Sequence, residues 1–385
     1  MTMDSHVVAR DGFVRADEIS AVQTLRAAWD VSGHGPRLRA VRKAGEALRE
    51  ELRGGARALA VRSLPITTLG YPTKYAFWAA PISPAPYVVM THRALLVQFQ
   101  QRGELKTLLF NPTDDIASRE TPFFKRMIAQ VGDYIAFNWL AKKFDTIEHQ
   151  LASLGVSPES VDYVAFDHFH TQDLRRQLGT TDGEHAPRFP NAKLLAPRTE
   201  WDDWDDLHPM QRAWFVADGK KNVRTGRVVL TEGDFALGDG VMLLATPGHT
   251  SGNQTLFVNT SDGIWGCSEN GTSADNWSPL ESKISGLART CRLQDLDVIP
   301  NANTPELGAQ QYTSMVLEKT IVDRLNRAPA FCQIFPSSEV TPSAFAPGLS
   351  PTIVHGGLVY GEVAHSEARR SIASGPEQAS AAPAV

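Results

Sequence analysis

Cysteine is scarce in this chain: its 385 residues include three, Cys267, Cys291 and Cys332. An odd, widely spaced set builds neither a disulfide framework nor a zinc ribbon. A reducing cytoplasm is the expected setting. No apolar run approaches the roughly 20 residues of a membrane helix. Residues 1–15 are polar and lack the apolar core of an export signal. Blocks of basic residues are missing too. With 38 Lys and Arg against 43 Asp and Glu, the net charge is −5, so nucleic-acid binding has no electrostatic support. These absences exclude the membrane and nucleic acid as expected partners and leave a small-molecule ligand as the default.

Apolar residues make up 42% of the chain, enough for a substantial core in one large domain with additions, or in two domains. Residues 17–53 read as helical, with Leu38, Val41, Leu48 and Leu52 at helical spacing and Gly54-Gly55 as the stop. Such a segment serves packing or homodimerisation more often than catalysis. From Val61 the period changes to that of strands. Tyr87–Met90, Ala94–Phe99 and Leu105–Phe110 qualify, the last two joined at Arg102-Gly103. Prolines 65, 72, 81, 84 and 86 are expected to cut the preceding stretch into short loop or edge pieces. Residues 121–143 read as an aromatic helix with Phe123, Phe124, Tyr134, Phe137 and Trp139, and 145–154 as a helix capped by Asp145 or Thr146 and closed by Gly155. Short strands are expected at 161–166, 192–196, 228–230, 241–245, 256–258, 264–267 and 297–300, and a helix at 309–326. The acidic stretch 200–207, with Trp201, Trp204 and Trp214, is a solvated helix end or a lid. Beyond residue 336 the chain is rich in Pro and Gly, and from Ser366 it is an Ala/Ser/Pro tail expected to be disordered.

The stretch that organises these pieces is Phe166-Asp167-His168-Phe169-His170. Residues i and i+2 of a strand share a face, so His168 and His170 at a strand end aim together. Two converging imidazoles suit a first-row metal. With 11 histidines in the chain, one His-x-His pair has a ready incidental explanation. A third histidine in a similar setting changes the balance. His249 stands in Thr246-Pro247-Gly248-His249-Thr250-Ser251-Gly252, again past a strand end, flanked by glycines where the backbone must turn sharply or approach something closely.

Together the segment Ile147 to His170 and the Pro247-Gly248-His249-Thr250 loop resemble the metallo-β-lactamase superfamily. The first matches its helix, Gly turn, strand and His-x-His loop; the second matches its Pro-Gly-His loop. The resemblance implies an α/β fold, an αββα sandwich over residues 61–335. An N-terminal helical extension (1–60) and a C-terminal extension with a disordered tail (336–385) would flank it. It also implies a principal metal site of His168, His170 and His249. The second site departs from the family: Gln172 stands where the family has Asp, and Asp173 where it has His. No histidine falls at Asn301-Ala302-Asn303, and Asn111 takes the place of a supporting Asp. The family's bridging Asp would fall near Glu269, or Ser268 if the register slips by one. His355 is a candidate replacement from the C-terminal extension.

What the resemblance implies is a metal-dependent, lactonase-like hydrolase with one or two zinc ions, or alternatively iron or manganese. A metal-bound hydroxide would attack an ester, lactone or similar acyl bond, with Asp173 or Glu269 handling the proton or holding a second ion. Two other readings stand beside it: a mononuclear iron oxidoreductase of the same fold, and a non-catalytic member with a decayed site. The N-terminal helices are the candidate surface for a homodimer.

Overall fold

The computed structural model describes residues 6–136 and 140–366. Two sheets stack face to face. The larger runs Val359–Tyr360, Ala60–Pro72, Tyr87–Gln101, Glu104–Phe110, Tyr163–Ala165, Lys193–Pro197, Val228–Thr231, with Ser338–Thr341 also paired to Tyr87–Gln101. The smaller runs Ser20–Val22, Asp234–Gly238, Val241–Ala245, Gln254–Thr260, Gly263–Cys267, Ile334–Phe335. The four strands from Glu104–Phe110 to Val228–Thr231 are parallel, and the front of the chain forms antiparallel hairpins.

Alternation along single strands builds the layers. Leu108 and Phe110 point into the core between the sheets, and Leu109 points to the outer face. Val229 points inward, and Val228 and Leu230 outward. On the smaller sheet, Leu256 and Val258 meet the inter-sheet core while Phe257 faces the other way. Strands buried on both faces read as continuous apolar runs, which is why these segments show little polar alternation. The outer face of the larger sheet is covered by helices Ile147–Ser153 and Leu174–Leu178 and by Trp201. That of the smaller sheet is covered by His34–Gly54 and Gly308–Ile321. The result is an α-β-β-α sandwich.

Several sequence expectations need correction. Only the second half of 17–53 is one long helix, His34–Gly54; Ser20–Val22 is a strand paired with Asp234–Gly238. The apolar stripe of that helix, Val41, Leu48 and Leu52, is spent on Met315, Leu317 and Ile321 of the same chain. Gly45 lets the helices close, since a Cβ there would lie 2.8 Å from Leu317 Cδ1. Pro65 does not break Ala60–Pro72. The strand absorbs it in a register shift between Pro65 and Thr67, the bulge being where a residue without an N–H is tolerated. Residues 297–300 form no strand: Ile299 donates to Asn276 O and Asn301 to Asn270 O in a loop. The aromatic helix is shorter than expected, Pro122–Val131, and Phe137 and Trp139 lie outside the described residues, as do residues 367–385. Both extensions lend strands to the sandwich, Ser20–Val22 from one side and Ser338–Thr341 and Val359–Tyr360 from the other.

Candidate metal centre

Strand ends from both sheets deliver the site to one edge of the sandwich. Tyr163–Ala165 runs out into Asp167 and His168; its parallel neighbours run out at Asn111 and, one strand further, towards Glu200. Across the gap, Val241–Ala245 leads into the His249 loop, and Gly263–Cys267 into Ser268 and Glu269. Gln254 pins the two sheets together here: its backbone N–H donates to Asp167 O and its Nε2 to Phe166 O, each at 2.8 Å.

Each loop is held from behind. Asn111 sits at φ 56°, a left-handed conformation that Asn tolerates. Its Nδ2 donates to Asp167 Oδ2 at 2.8 Å, and its Oδ1 accepts from the Asp167 N–H at 3.0 Å. That leaves Asp167 Oδ1 to meet the His168 backbone N–H at 2.8 Å and His168 Nδ1 at 2.7 Å. Glu200, fully buried, braces both histidine loops. Oε1 accepts from the Phe169 N–H at 2.8 Å, and Oε2 from Thr250 Oγ1 at 2.7 Å. Burial pushes the Glu200 carboxyl up from the ordinary range, against the pull of His168 and the two donors. Gly248, at φ 152°, passes so close to Gln311 that a Cβ would fall 2.2 Å from its Cα. The His249 N–H donates to Asn270 Oδ1 at 3.1 Å, and Asn270 is tied at 2.8 Å to the buried Glu318.

The three histidines meet. His249 Nε2 lies 3.1 Å from His168 Nε2 and 3.3 Å from His170 Nδ1. All three donor atoms fall within 4.8 Å of one another, the one such group among the described residues. A tetrahedron with zinc–nitrogen bonds of about 2.05 Å has edges of about 3.3 Å, so two of the spacings fit that ion. The tautomers fit as well. His168 Nδ1 faces Asp167, and His170 Nε2 faces Gln211 Oε1 at 2.7 Å. Both partners are acceptors, so those nitrogens carry the proton and the nitrogens facing the cluster are bare. Burial, and then the neighbouring His168, hold His170 and His249 well below the usual histidine range, so both are neutral. Trp214 stacks on His170, centroids 5.7 Å apart, and Phe123 stacks on Trp214 at 4.2 Å.

The other expected ligands go elsewhere. Asp173 is not brought to the cluster: it caps helix Leu174–Leu178, accepting from the Arg175 N–H, and both its oxygens are held by the Arg175 guanidinium at 2.9 and 2.6 Å. A carboxylate three residues past a metal-binding histidine and at the start of a helix has two possible tasks, and here the helix takes it. Glu269 does line the site cavity, beside the histidines. Its Oε1 accepts from the Ser338 N–H. Burial and Asp167 push its carboxyl well above the ordinary range. Ser268 turns to Glu318 at 2.8 Å. His355 is held away by Glu339, through both its backbone N–H and its Nδ1 at 2.8 Å, against the Trp265 and Phe335 rings. Gln172 donates to Thr113 Oγ1 at 3.0 Å, and Asn301 Nδ2 lies 3.4 Å from His249 Nδ1. The residues that sequence reasoning passed over are Asp167, Glu200, Gln211 and Tyr71, whose phenol donates to Asn301 Oδ1 at 2.7 Å. The first two carry a signal in hindsight: each is an acidic residue just past a strand of the parallel part of the sheet.

The cavity at the histidines is lined by polar residues, among them Gln172, Asn303 and Glu269, and by apolar ones, among them Leu69, Met127, Ile128 and Leu140.

The decisive arrangement is a His-x-His turn from one sheet and a Pro-Gly-His turn from the other, converging at one edge of an αββα sandwich. This is the arrangement that the resemblance to the metallo-β-lactamase superfamily implies. No family model matches the chain. Among curated proteins it is similar to "N-acyl homoserine lactonase AiiA" of Bacillus thuringiensis subsp. kurstaki, 28% identical over 116 residues, 30% of this chain and 40% of that protein. The match thus spans about two fifths of the relative's length. Among solved structures, a probable metal-dependent hydrolase from Staphylococcus aureus aligns at TM-score 0.47 and 13% identity, over 67% of this chain and 82% of that one. AidC, a dizinc quorum-quenching lactonase, aligns at 0.44 and 13%, over 80% and 98%. In this αββα sandwich the histidine cluster occupies the edge where both sheets end.

Proposed function

We propose that the chain is a hydrolase of an ester, lactone or similar acyl bond that depends on one divalent ion, zinc in the first instance, held by His168, His170 and His249. The observation that supports this is the convergence of three buried imidazole nitrogens, two with their tautomers set, on one point of a cavity wall. A divalent ion held by three imidazoles lowers the pKa of bound water from about 15.7 to about 7 and polarises a carbonyl oxygen.

The chain's own residues have distinct tasks. Asp167 and Gln211 keep His168 and His170 in the orientation that presents the bare nitrogen. Glu269, whose carboxyl burial and Asp167 push well above the ordinary range, stands in the cavity wall where it can exchange a proton near the acyl group. Asp173, committed to Arg175, has no part in this reading. Trp214 and Phe123 exclude water from one side of His170.

Metal content per chain, by element, on protein purified without chelators or added metal is the test. The expected result is about one zinc. His249→Ala is expected to lose both the metal and turnover of p-nitrophenyl esters while keeping the circular dichroism of the parent. Full metal content and full activity in His249→Ala would refute the proposal. One iron per chain would move the chemistry from hydrolysis to oxidation.

A further inference from the structure

Helix Pro122–Val131 lines two cavities. Phe124, Met127 and Ile128 belong to the cavity at the histidines, while Phe123, Arg126, Met127 and Gln130 belong to a second groove that contains no histidine. The rest of that groove comes from residues 72–75 and 79–87, and its volume is about 610 Å³. Small-molecule sites run from roughly 300 to 1,000 Å³. Its prolines, at 72, 81, 84 and 86, have no N–H to offer. Its neutral hydroxyls are committed: Thr73 Oγ1 donates to Ala85 O at 2.7 Å, Ser83 Oγ to Pro347 O at 3.1 Å, and the Tyr87 phenol to Gln130 Oε1 at 3.4 Å. The side chains left to hold a ligand's polar end are donors, the Lys74 ammonium, the Arg126 guanidinium and the Gln130 amide. Among the described residues no Asp or Glu lines the groove. Two cations without an acid, in a chain of net charge −5, select an anion.

Stacked rings join this groove to the histidine cluster. Phe123, in the groove lining, stacks on Trp214 with centroids 4.2 Å apart, and Trp214 stacks on His170 at 5.7 Å. We infer that the groove is a second binding site, for an aryl carboxylate, and that its occupancy tightens metal binding at the histidines. The carboxylate meets Lys74 and Arg126, and the flat apolar body covers the prolines and the rings of Tyr75 and Phe123. A ligand packed on Phe123 restrains the stack behind His170, and a ligating ring already held in place has less freedom to lose when an ion binds. The coupling rests on the reading of the three histidines as a metal site; the anion site itself does not.

The test uses benzoate on the full chain, with benzamide as the uncharged analogue. Calorimetry in excess chelator reads the groove while the histidines hold no ion. One benzoate per chain is expected, bound at least about tenfold more tightly than benzamide, because a charge-assisted bond to either cation is lost in the amide. Lys74→Gln and Arg126→Gln, both at exposed positions, are each expected to weaken benzoate by about fivefold. Zinc competition against a chromophoric chelator then reads the coupling. Saturating benzoate is expected to tighten zinc by about fivefold in the parent, and zinc to tighten benzoate by the same factor. The gain should disappear in Arg126→Gln at the same benzoate concentration; benzoate acting as a direct ligand of the zinc would keep it. No binding of benzoate in chelator, or equal affinity for benzamide, would overturn the inference and leave the hydrolytic reading standing. So would benzoate binding with zinc affinity unchanged or weakened, or a zinc effect that survives in Arg126→Gln. A chain that takes up no zinc yet binds benzoate through Lys74 and Arg126 would sink the hydrolytic reading and sustain the anion site.

Discussion

Removing the Glu200 brace tests how the site is held. In Glu200→Ala two buried donors lose their acceptor at once: the Phe169 N–H, bonded at 2.8 Å, and the Thr250 hydroxyl, at 2.7 Å. A buried donor left unpaired costs about 1–3 kcal/mol. The hydroxyl can rotate to another acceptor and the amide cannot, so the sum is expected near the lower half of that range doubled, about 2–4 kcal/mol of stability. Both donors sit on loops that carry the histidines proposed to hold the metal, so part of the loss should surface as weaker metal binding, by about 10- to 100-fold. Glu200→Gln is the control. Its amide oxygen still accepts from Phe169 and its NH₂ can donate to Thr250 Oγ1, so most of the stability and affinity should return. Urea unfolding in excess chelator measures the first effect, and zinc competition against a chromophoric chelator the second. Unchanged zinc affinity in Glu200→Ala, within twofold, would refute the claim that this residue sets the histidine loops, whatever the urea curve shows.

Two further perturbations check the frame around the site. Burial pushes the Asp234 carboxyl up to about 7, against about 3.9 for an exposed Asp. The folded state therefore binds this proton more tightly than the unfolded chain. The contribution is fully present below about pH 4 and is lost as pH rises through 7, at roughly 1.4 kcal/mol for each pH unit between those values and about 2–4 kcal/mol in all. Asp234→Asn, which keeps an oxygen for the Ala245 N–H, should be more stable than the parent at pH 8 and flatter between pH 5 and 8 in urea melts. Equal pH slopes for the two proteins would count against it. Gly248→Ala should drive its methyl into Gln311 Cα and cost about 3 kcal/mol or more, with His249 displaced and zinc affinity reduced; a variant with parental zinc affinity would show that the loop has room to yield.

The parts of the fold that could be read from sequence are those whose cause is local. Val161 to Phe166, the hairpin at Arg102-Gly103, and the helix capped by Thr146 and closed by Gly155 carry their own patterning, and both histidine turns lie beside such elements. What escaped reading depends on partners far along the chain. Ser20–Val22 is a strand because Asp234–Gly238 offers it an edge. Ala60–Pro72 stays continuous through Pro65 because Tyr87–Gln101 pairs along its whole length. Asp173 looks like a ligand in sequence because spacing alone does not distinguish a carboxylate that reaches a metal from one that caps the next helix and pairs with Arg175. Glu200, 31 residues from Phe169 and 50 from Thr250, is marked locally only by its place just past a strand, which does not say what it braces.

The departures at the second-ion position are better understood as a change of charge than as a loss of function. A decayed site would be free to fill with apolar residues, yet the altered positions remain polar and placed. Gln172 reaches Thr113, which in turn contacts His92, and Asn301 accepts from Tyr71. Burial lowers His92 to about 4 and keeps Tyr71 well above its usual range, so both are neutral. Burial and Asp167 push the Glu269 carboxyl up, and Asp173 is paired with Arg175. The carboxylate left against the ligand set is Asp167. In the proposed reading, a divalent ion held by the three histidines would suit an oxyanion developing on a carbonyl. A second divalent ion would, in that reading, meet the neutral amides of Gln172 and Asn301, which do little to offset its desolvation. Single-ion binding, in the proposed reading, would follow from the uncharged side chains at these positions.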